Sequence, residues 1–395
     1  MKNTFFLILL FQITHLAFAQ NPRSVNNKYK INSKALNETR EIWVNLPANY
    51  DSTKSYPTMY VLDAEWQFDI TFAIMEELAV NDKIPKHIVI GIPHVDFDHR
   101  FKDLTFTSTE YNSSGEPDST AAYYFNKEKT QGGLKFLEYL SKEVVPFVDS
   151  LHITNGFDVL IGHSLSGYFG AYILTIENPF NAFQLYDPSI WYNKADPIKH
   201  LTETVSKNVK PNVFISSANG GKDREQYNVD MHKKFHEILL QNDINSELKV
   251  YDYESHGTVR LPSLIDGLSN LYKGFSIGYI SPTDTITVED AQKHFQSFSN
   301  KVNYDFNPPV EAFRWIGYAN HFQGNWAEAI KAYQLCSALY DTDVIMLTEF
   351  SDAYFQTNNL HASLEMYQKV LAIDPNNESV KLKIEELIQL IAEDN

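Results

Sequence analysis

The chain is 395 residues long with 43% hydrophobic and 14% aromatic content, which is enough to bury a large core, argues for two domains, and excludes a disordered protein. A formal net charge of −17 repels phosphate backbones and anionic lipid surfaces, so no nucleic-acid partner is expected. The single cysteine, Cys336, excludes an intramolecular disulfide, and stability must come from the core.

In chain order, the N-terminus comes first. Lys2, the apolar run 5–11 and Ala17-Phe18-Ala19 before Gln20 match the charged, apolar and small-residue regions of a secretory signal peptide. The run is interrupted by Gln12, Thr14 and His15 well short of a bilayer span, so 1–19 is expected to be a cleaved leader. The expected protein is exported, periplasmic or secreted, with no membrane span after cleavage.

From about residue 28 to 275, short β-branched or aromatic runs alternate with helical patterns. The strand-like runs are 41–46, 58–62, 87–92, 157–161, 182–186, 212–216 and 248–253; the helix-like ones are 66–80, 133–148, 168–177, 224–241 and 263–272. This alternation predicts an α/β fold, a mostly parallel sheet with helices on both faces. A polar stretch at 107–120, with Gly115 and Pro117, has the character of a specificity loop or lid.

After Asp284 the strand signal fades, and Asn307-Pro308-Pro309 precedes continuous helical patterning. The organisation expected is a leader at 1–19, an enzyme domain at 20–280, a linker at 281–308 and an all-α repeat domain at 309–395. Within the last, Gly324, Ala329, Tyr333 and Cys336 align with Asn358, Ser363, Tyr367 and Val370 at a period of 34 residues. This resembles tetratricopeptide repeats, whose small residues let paired helices pack closely around an aromatic. Such an array serves either as a structural cap or as a site for a protein partner.

The chemistry is concentrated at 157–167. Phe157 to Ile161 runs as a strand into Gly162-His163-Ser164-Leu165-Ser166-Gly167, and helical patterning follows. Strand, sharp turn and helix form the setting of a nucleophile elbow, which makes Ser164 the candidate nucleophile. Ser166 stands where the G-x-S-x-G pattern has its second glycine, and Gly167 follows it. The base is expected on a loop after the last strand, where His256 lies in Glu254-Ser255-His256-Gly257-Thr258. His163, inside the elbow, and His232 and His236, on a helical pattern, are less well placed.

An acid should fix the histidine tautomer. Asp223, after the strand at 212–216, leads; Glu225 is second, and Asp187, in "LYDPSIWY", is third. Two backbone N–H groups should hold the oxyanion, one from Leu165 and one from Ala64 or Glu65 in the turn after the strand at 58–62.

Together, "YPTMYVLDAEWQF", "IVIGIPHVDFDHRFKDLT", "IGHSLSG" and "SHGTVRLPSLIDGL" resemble the "Putative esterase" family of α/β-hydrolases, which takes in siderophore esterases, feruloyl esterases and S-formylglutathione hydrolases. The resemblance covers about residues 25–280. It implies that His256 is the base, and the likeness of Gly221-Lys222-Asp223 to an acid-bearing loop of the S-formylglutathione hydrolases implies Asp223 over Asp187. It further implies an Arg100–Asp103 ion pair shaping the pocket rim, and Trp191 as a pocket wall.

A competing reading places His94, Asp96, Asp98 and His99 around a divalent cation; without a zinc signature, no metal is expected. Nor is a phosphate loop or dinucleotide fingerprint present, and the expected reaction needs no cofactor. That reaction is hydrolysis of a small-molecule or glycan ester, of siderophore, hydroxycinnamoyl or polysaccharide acyl type, through an acyl-enzyme on Ser164. The rival readings are a catalytically weak scaffold acting through its repeats and a serine peptidase on the same fold.

Overall fold

The computed structural model describes residues 27–204, 210–220, 223–338 and 340–393. The expected leader, 1–19, lies outside the described residues. Contacts divide the chain into two compact units. One holds the described residues up to Glu77, those of Lys86–Val209, and Val213–Ile265; the other holds Leu78–Pro85, Lys210–Asn212 and the described part of Asp266–Asn395.

The elements open with β1 (Asn27–Ser33), β2 (Glu38–Asn45), β3 (Tyr56–Leu62), α1 (Ala64–Val80) and β4 (Ile88–Ile92). Next come α2 (Phe97–Leu104), α3 (Ser119–Tyr124), α4 (Gly133–Tyr139), a π-helical turn (Leu140–Val144), α5 (Val145–Leu151), β5 (Thr154–His163) and α6 (Leu165–Ile173). β6 (Ala182–Tyr186), α7 (Tyr192–Thr204), β7 (Asn212–Ala218), α8 (Asp223–Gln241), β8 (Ser246–Tyr251) and α9 (Arg260–Leu271) follow.

The eight strands form one sheet in the order β1-β2-β4-β3-β5-β6-β7-β8. β1 and β2 pair antiparallel with each other, and β2 pairs antiparallel with β4. The pairings of β3 with β4 and β5, of β5 with β6 and of β7 with β8 are parallel. β3, β4, β6 and β7 are buried along their whole length, as strands covered on both faces are. That explains why these four read as runs rich in apolar residues without polar alternation. β1, half-exposed with alternating Lys and Tyr, was not among the predicted runs.

The parallel register places the C-terminal ends of β3, β5, β6 and β7 along one edge. There the chain turns abruptly, with positive φ at Asp63, Ser164 and Asp187. Crevices at this edge are where open α/β sheets bind their ligands.

The second unit contains α10 (Val288–Val302), α11 (Val310–Phe322), α12 (Trp326–Cys336), α13 (Val344–Gln356), α14 (Leu360–Ile373) and α15 (Glu378–Glu393). α10 corrects the expected linker at 281–308. Thr287 caps it in a reciprocal capping box with Asp290, and Ala291, Phe295 and Phe298 are buried, so this segment folds as a helix. α13 begins 34 residues after α11, and α14 begins 34 after α12. Gly317 of α11 faces the buried ring of Tyr333, where a Cβ would come within 2.4 Å of Cε1. At the corresponding place in the next helix pair, Ser351 Oγ donates to Ser363 O at 2.7 Å.

Candidate active site

β5 delivers Ser164 to the sheet edge, and the turn into α6 gives it φ 60° and ψ −118°. A non-glycine residue at this φ is strained, and the surroundings must hold it there. Gly162 and Gly167 make the turn sterically possible. A Cβ on Gly162 would lie 2.3 Å from Ser166 O, and one on Gly167 would lie 2.9 Å from Pro188 Cα. Ser166, buried at the pattern's glycine position, ties the turn together: its Oγ accepts from His163 N–H at 2.8 Å and donates to His163 O at 2.9 Å.

Ser164 Oγ lies 2.9 Å from Nε2 of His256, on the loop after β8. The other ring nitrogen, Nδ1, lies 2.5 Å from Oδ2 of Asp187. A carboxylate can only accept, so Nδ1 carries the proton, leaving Nε2 to accept from the serine hydroxyl. Asp187, ranked third from sequence, therefore takes the place expected for Asp223 or Glu225. Asp223 opens α8, and Glu225 lies in that helix's first turn.

The physical reason is the turn at the end of β6. Asp187 adopts φ 40° while its N–H donates to Ser216 O at 3.0 Å on β7. Its Oδ1 accepts from Ala218 N–H at 3.0 Å and from Asn228 Nδ2 at 3.2 Å. Burial alone would raise this carboxyl's pKa, but the hydrogen bonds from His256 and the Ala218 N–H outweigh it and hold it below the usual carboxylate range. Asp187 is thus a buried, ionised acceptor pointed at the imidazole.

His232, set aside in the sequence as a helix residue, is fully buried behind this acid, with Nε2 2.6 Å from Pro188 O and Nδ1 2.8 Å from Ser217 Oγ. Burial lowers its pKa. Neutral, it donates through Nε2–H to Pro188 and accepts from Ser217. Ser189 was also missed: its Oγ is 3.5 Å from Ser164 Oγ, and its N–H donates to Ser164 O at 2.9 Å. Trp191 follows two residues later, partly buried against the main core, with its ring 6.2 Å from that of Tyr192.

Leu165 and Ala64 are the first residues of α6 and α1, which follow the adjacent parallel strands β5 and β3. Free N–H groups at helix starts favour negative charge. Glu65 lies in the same first turn of α1, with its carboxylate accepting from His94 N–H at 3.3 Å.

Arg100 does not pair with Asp103. It makes a two-pronged bond to Asp63, Nε to Oδ1 at 2.7 Å and Nη2 to Oδ2 at 2.8 Å. Asp103 instead faces the buried Arg40 of β2, at 2.8 and 3.1 Å. His94 lies between the two carboxylates, Nδ1 3.1 Å from Asp103 and Nε2 3.4 Å from Asp63. Burial opposes its charge, but the hydrogen bonds and charges of Asp103 and Asp63 prevail and raise its pKa to about 9. This buried chain of charges braces the Asp63 turn from which Ala64 leaves.

The four residues of the competing metal reading are engaged in other ways. His94 is bound as above, Asp96 caps α2 by accepting from His99 N–H, Asp98 pairs with Lys129 at 3.3 Å, and His99 lies 3.3 Å from Glu38. Among the described residues no group of three or more potential ligands converges on one point.

Residues 33–185 match the family model described as "Esterase: Putative esterase". The ferri-bacillibactin esterase BesA of Bacillus subtilis is 23% identical over 257 residues, 60% of this chain and 85% of that protein. The IroE-like serine hydrolase from Shewanella oneidensis superposes with a TM-score of 0.68 at 26% identity, covering 80% of this chain and all of that one. This chain is a serine esterase. A likeness of fold alone joins the esterase to an uncharacterised protein from Capnocytophaga ochracea, with a TM-score of 0.62 at 14% identity over 92% of this chain and 99% of that one.

Proposed function

We propose that the esterase works by two-step acyl transfer through Ser164, His256 and Asp187, and that its substrate is an ester of the siderophore kind. The observation that carries the mechanism is the pair of bonds to one imidazole, 2.9 Å to Ser164 Oγ and 2.5 Å to Asp187 Oδ2. His256 takes the hydroxyl proton as Oγ attacks the ester carbonyl, and Asp187 stabilises the imidazolium. The N–H of Leu165, with that of Ala64 or Glu65, receives the oxyanion. The imidazolium then protonates the leaving alcohol, and water, deprotonated by the same ring, releases the acid from Ser164.

What supports the substrate class is the company the chain keeps, since a ferri-bacillibactin esterase and an IroE-like hydrolase lie among its relatives. Trp191, close in sequence to Ser189, is proposed as a pocket wall. We read 1–19 as an export leader, so that the enzyme meets its substrate outside the cytoplasm; no helix among the described residues is long and apolar enough to cross a membrane. The 34-residue displacement of α11 and α12 onto α13 and α14 supports reading 309–395 as tetratricopeptide-like repeats.

The substrate is tested by incubating the protein with a ferric trilactone siderophore, a feruloyl sugar ester and an acetylated polysaccharide, and following the released acids by mass spectrometry. The expected result is opening of the trilactone at least tenfold faster than the others. Feruloyl or acetyl release with the trilactone left intact would overturn the substrate assignment while leaving the mechanism in place.

A further inference from the structure

His256 sits on a largely exposed turn, whose one buried residue is Val259 at its C-terminal end. Ser255, His256, Gly257 and Thr258 are all exposed, and a Cβ on Gly257 would meet nothing within 4 Å. The loop's short-range bonds run within it: Thr258 N–H and Val259 N–H donate to Ser255 O, and Ser255 N–H donates to Thr258 Oγ1. These bonds shape the turn without fixing where it sits over the sheet edge. Yet a catalytic imidazole must be held to within a fraction of an ångström of its nucleophile.

His163 contributes what the loop lacks. It is the last residue of β5, with its backbone clamped on both sides by the Ser166 hydroxyl. Its Nε2 lies 2.8 Å from the main-chain carbonyl of His256, and the two rings are tilted against each other, with centroids 4.5 Å apart and planes at 31°. A carbonyl only accepts, so this nitrogen is the donor. Burial, together with the neighbouring His256 and Arg260, pushes the His163 pKa down to about 3. Hence the ring adds no positive charge beside an imidazolium forming on His256.

We propose that His163 is a positioning residue, whose Nε2–H holds the main chain of His256 over the sheet edge, and that Ser166 at the motif's glycine position clamps His163 for this task. The inference rests on the Ser164–His256–Asp187 reading and adds to it the part that fixes the base. It also gives the departure from G-x-S-x-G a purpose. A glycine would fit at position 166 but would leave the His163 backbone without its two side-chain bonds.

The test uses the full chain, steady-state hydrolysis of p-nitrophenyl acetate, and thermal midpoints. In His163→Phe the flat ring is kept and the donor lost. His163→Asn keeps an amide too short to reach the carbonyl, while His163→Gln places an N–H about where Nε2 was. Phe and Asn are expected to lower kcat by about 10- to 100-fold with KM within about twofold, as a misplaced catalytic group does. Gln is expected to recover most of kcat, and Ser166→Gly to lose several-fold. His163→Asn covers the case in which the Phe variant fails to fold. Wild-type kcat in the Asn variant overturns the proposal, as does a Gln variant as impaired as the Asn one. Ser164→Ala and His256→Ala run alongside: activity retained in those two defeats the triad reading, a result distinct from His163 alone proving neutral.

Discussion

Asp187 illustrates how much a single side chain depends on its backbone. Held at φ 40°, with Oδ1 bonded to Ala218 and Asn228, it turns Oδ2 toward His256. Replacing the carboxylate by an amide keeps the shape but allows the imidazole to settle in the wrong tautomer, a change worth on the order of 10^4 in kcat in a serine protease triad. Asp187→Asn is therefore expected to lower kcat by about 10^3- to 10^4-fold with little change in KM, whereas Asp223→Asn should stay within about twofold of wild type. Steady-state kinetics on both variants checks this; the opposite ranking would return the acid to Asp223. The sequence made Ser164 and His256 legible because their settings are local patterns, an elbow and a Ser-His-Gly loop. It ranked Asp223 above Asp187, whereas the carboxylate that meets the imidazole is decided by which of two neighbouring strand ends turns toward it. That turn is a tertiary fact, fixed by bonds from β7 and α8.

Among the elements, β5 has different tasks along its length. Its C-terminal end carries the strained elbow. Midway along it, Asp158 is buried beside β3, accepting from Thr58 Oγ1 at 2.6 Å. Burial pushes its carboxyl from 3.8 up to about 6. Because this group holds its proton more tightly in the folded protein, its contribution favours folding fully below about pH 4 and is lost as pH rises to about 6. The loss amounts to about 3 kcal/mol above pH 6, from 1.36 kcal/mol per unit. Asp158→Asn keeps an acceptor for Thr58 and abolishes the titration. Urea unfolding should show the variant more stable than wild type at pH 7 and the two nearly equal at pH 4; equal stability at pH 7 would contradict the buried-acid account. The elements best read from sequence were those with unbroken burial, β3, β4 and β6. α2 and α7 were missed for physical reasons. α2 is a short charged helix whose partners lie far along the chain, and α7 carries three consecutive left-handed residues, Asn193 to Ala195, which no periodicity announces. α10 was hidden because its polar face dominates the composition of the segment.

At the scale of the whole molecule, a strongly acidic chain of two compact units is matched by the esterase family model over 33–185. That span includes Ser164, the proposed nucleophile, but ends two residues before Asp187 and well before His256, so the proposed site is completed by residues beyond it. On the proposed mechanism, one serine and one histidine, 92 residues apart in sequence, form a single catalytic unit. Members of such a unit are not additive: losing either removes nearly the whole of its contribution. The most direct measurement is hydrolysis of short-chain p-nitrophenyl esters by the protein beginning at Gln20, with Ser164→Ala, His256→Ala and the double variant. The wild type is expected to turn over, each single variant to lose about 10^3-fold or more, and the double variant to lose no more than either single one. An inactive wild type, or a Ser164→Ala variant as active as wild type, would contradict that mechanism.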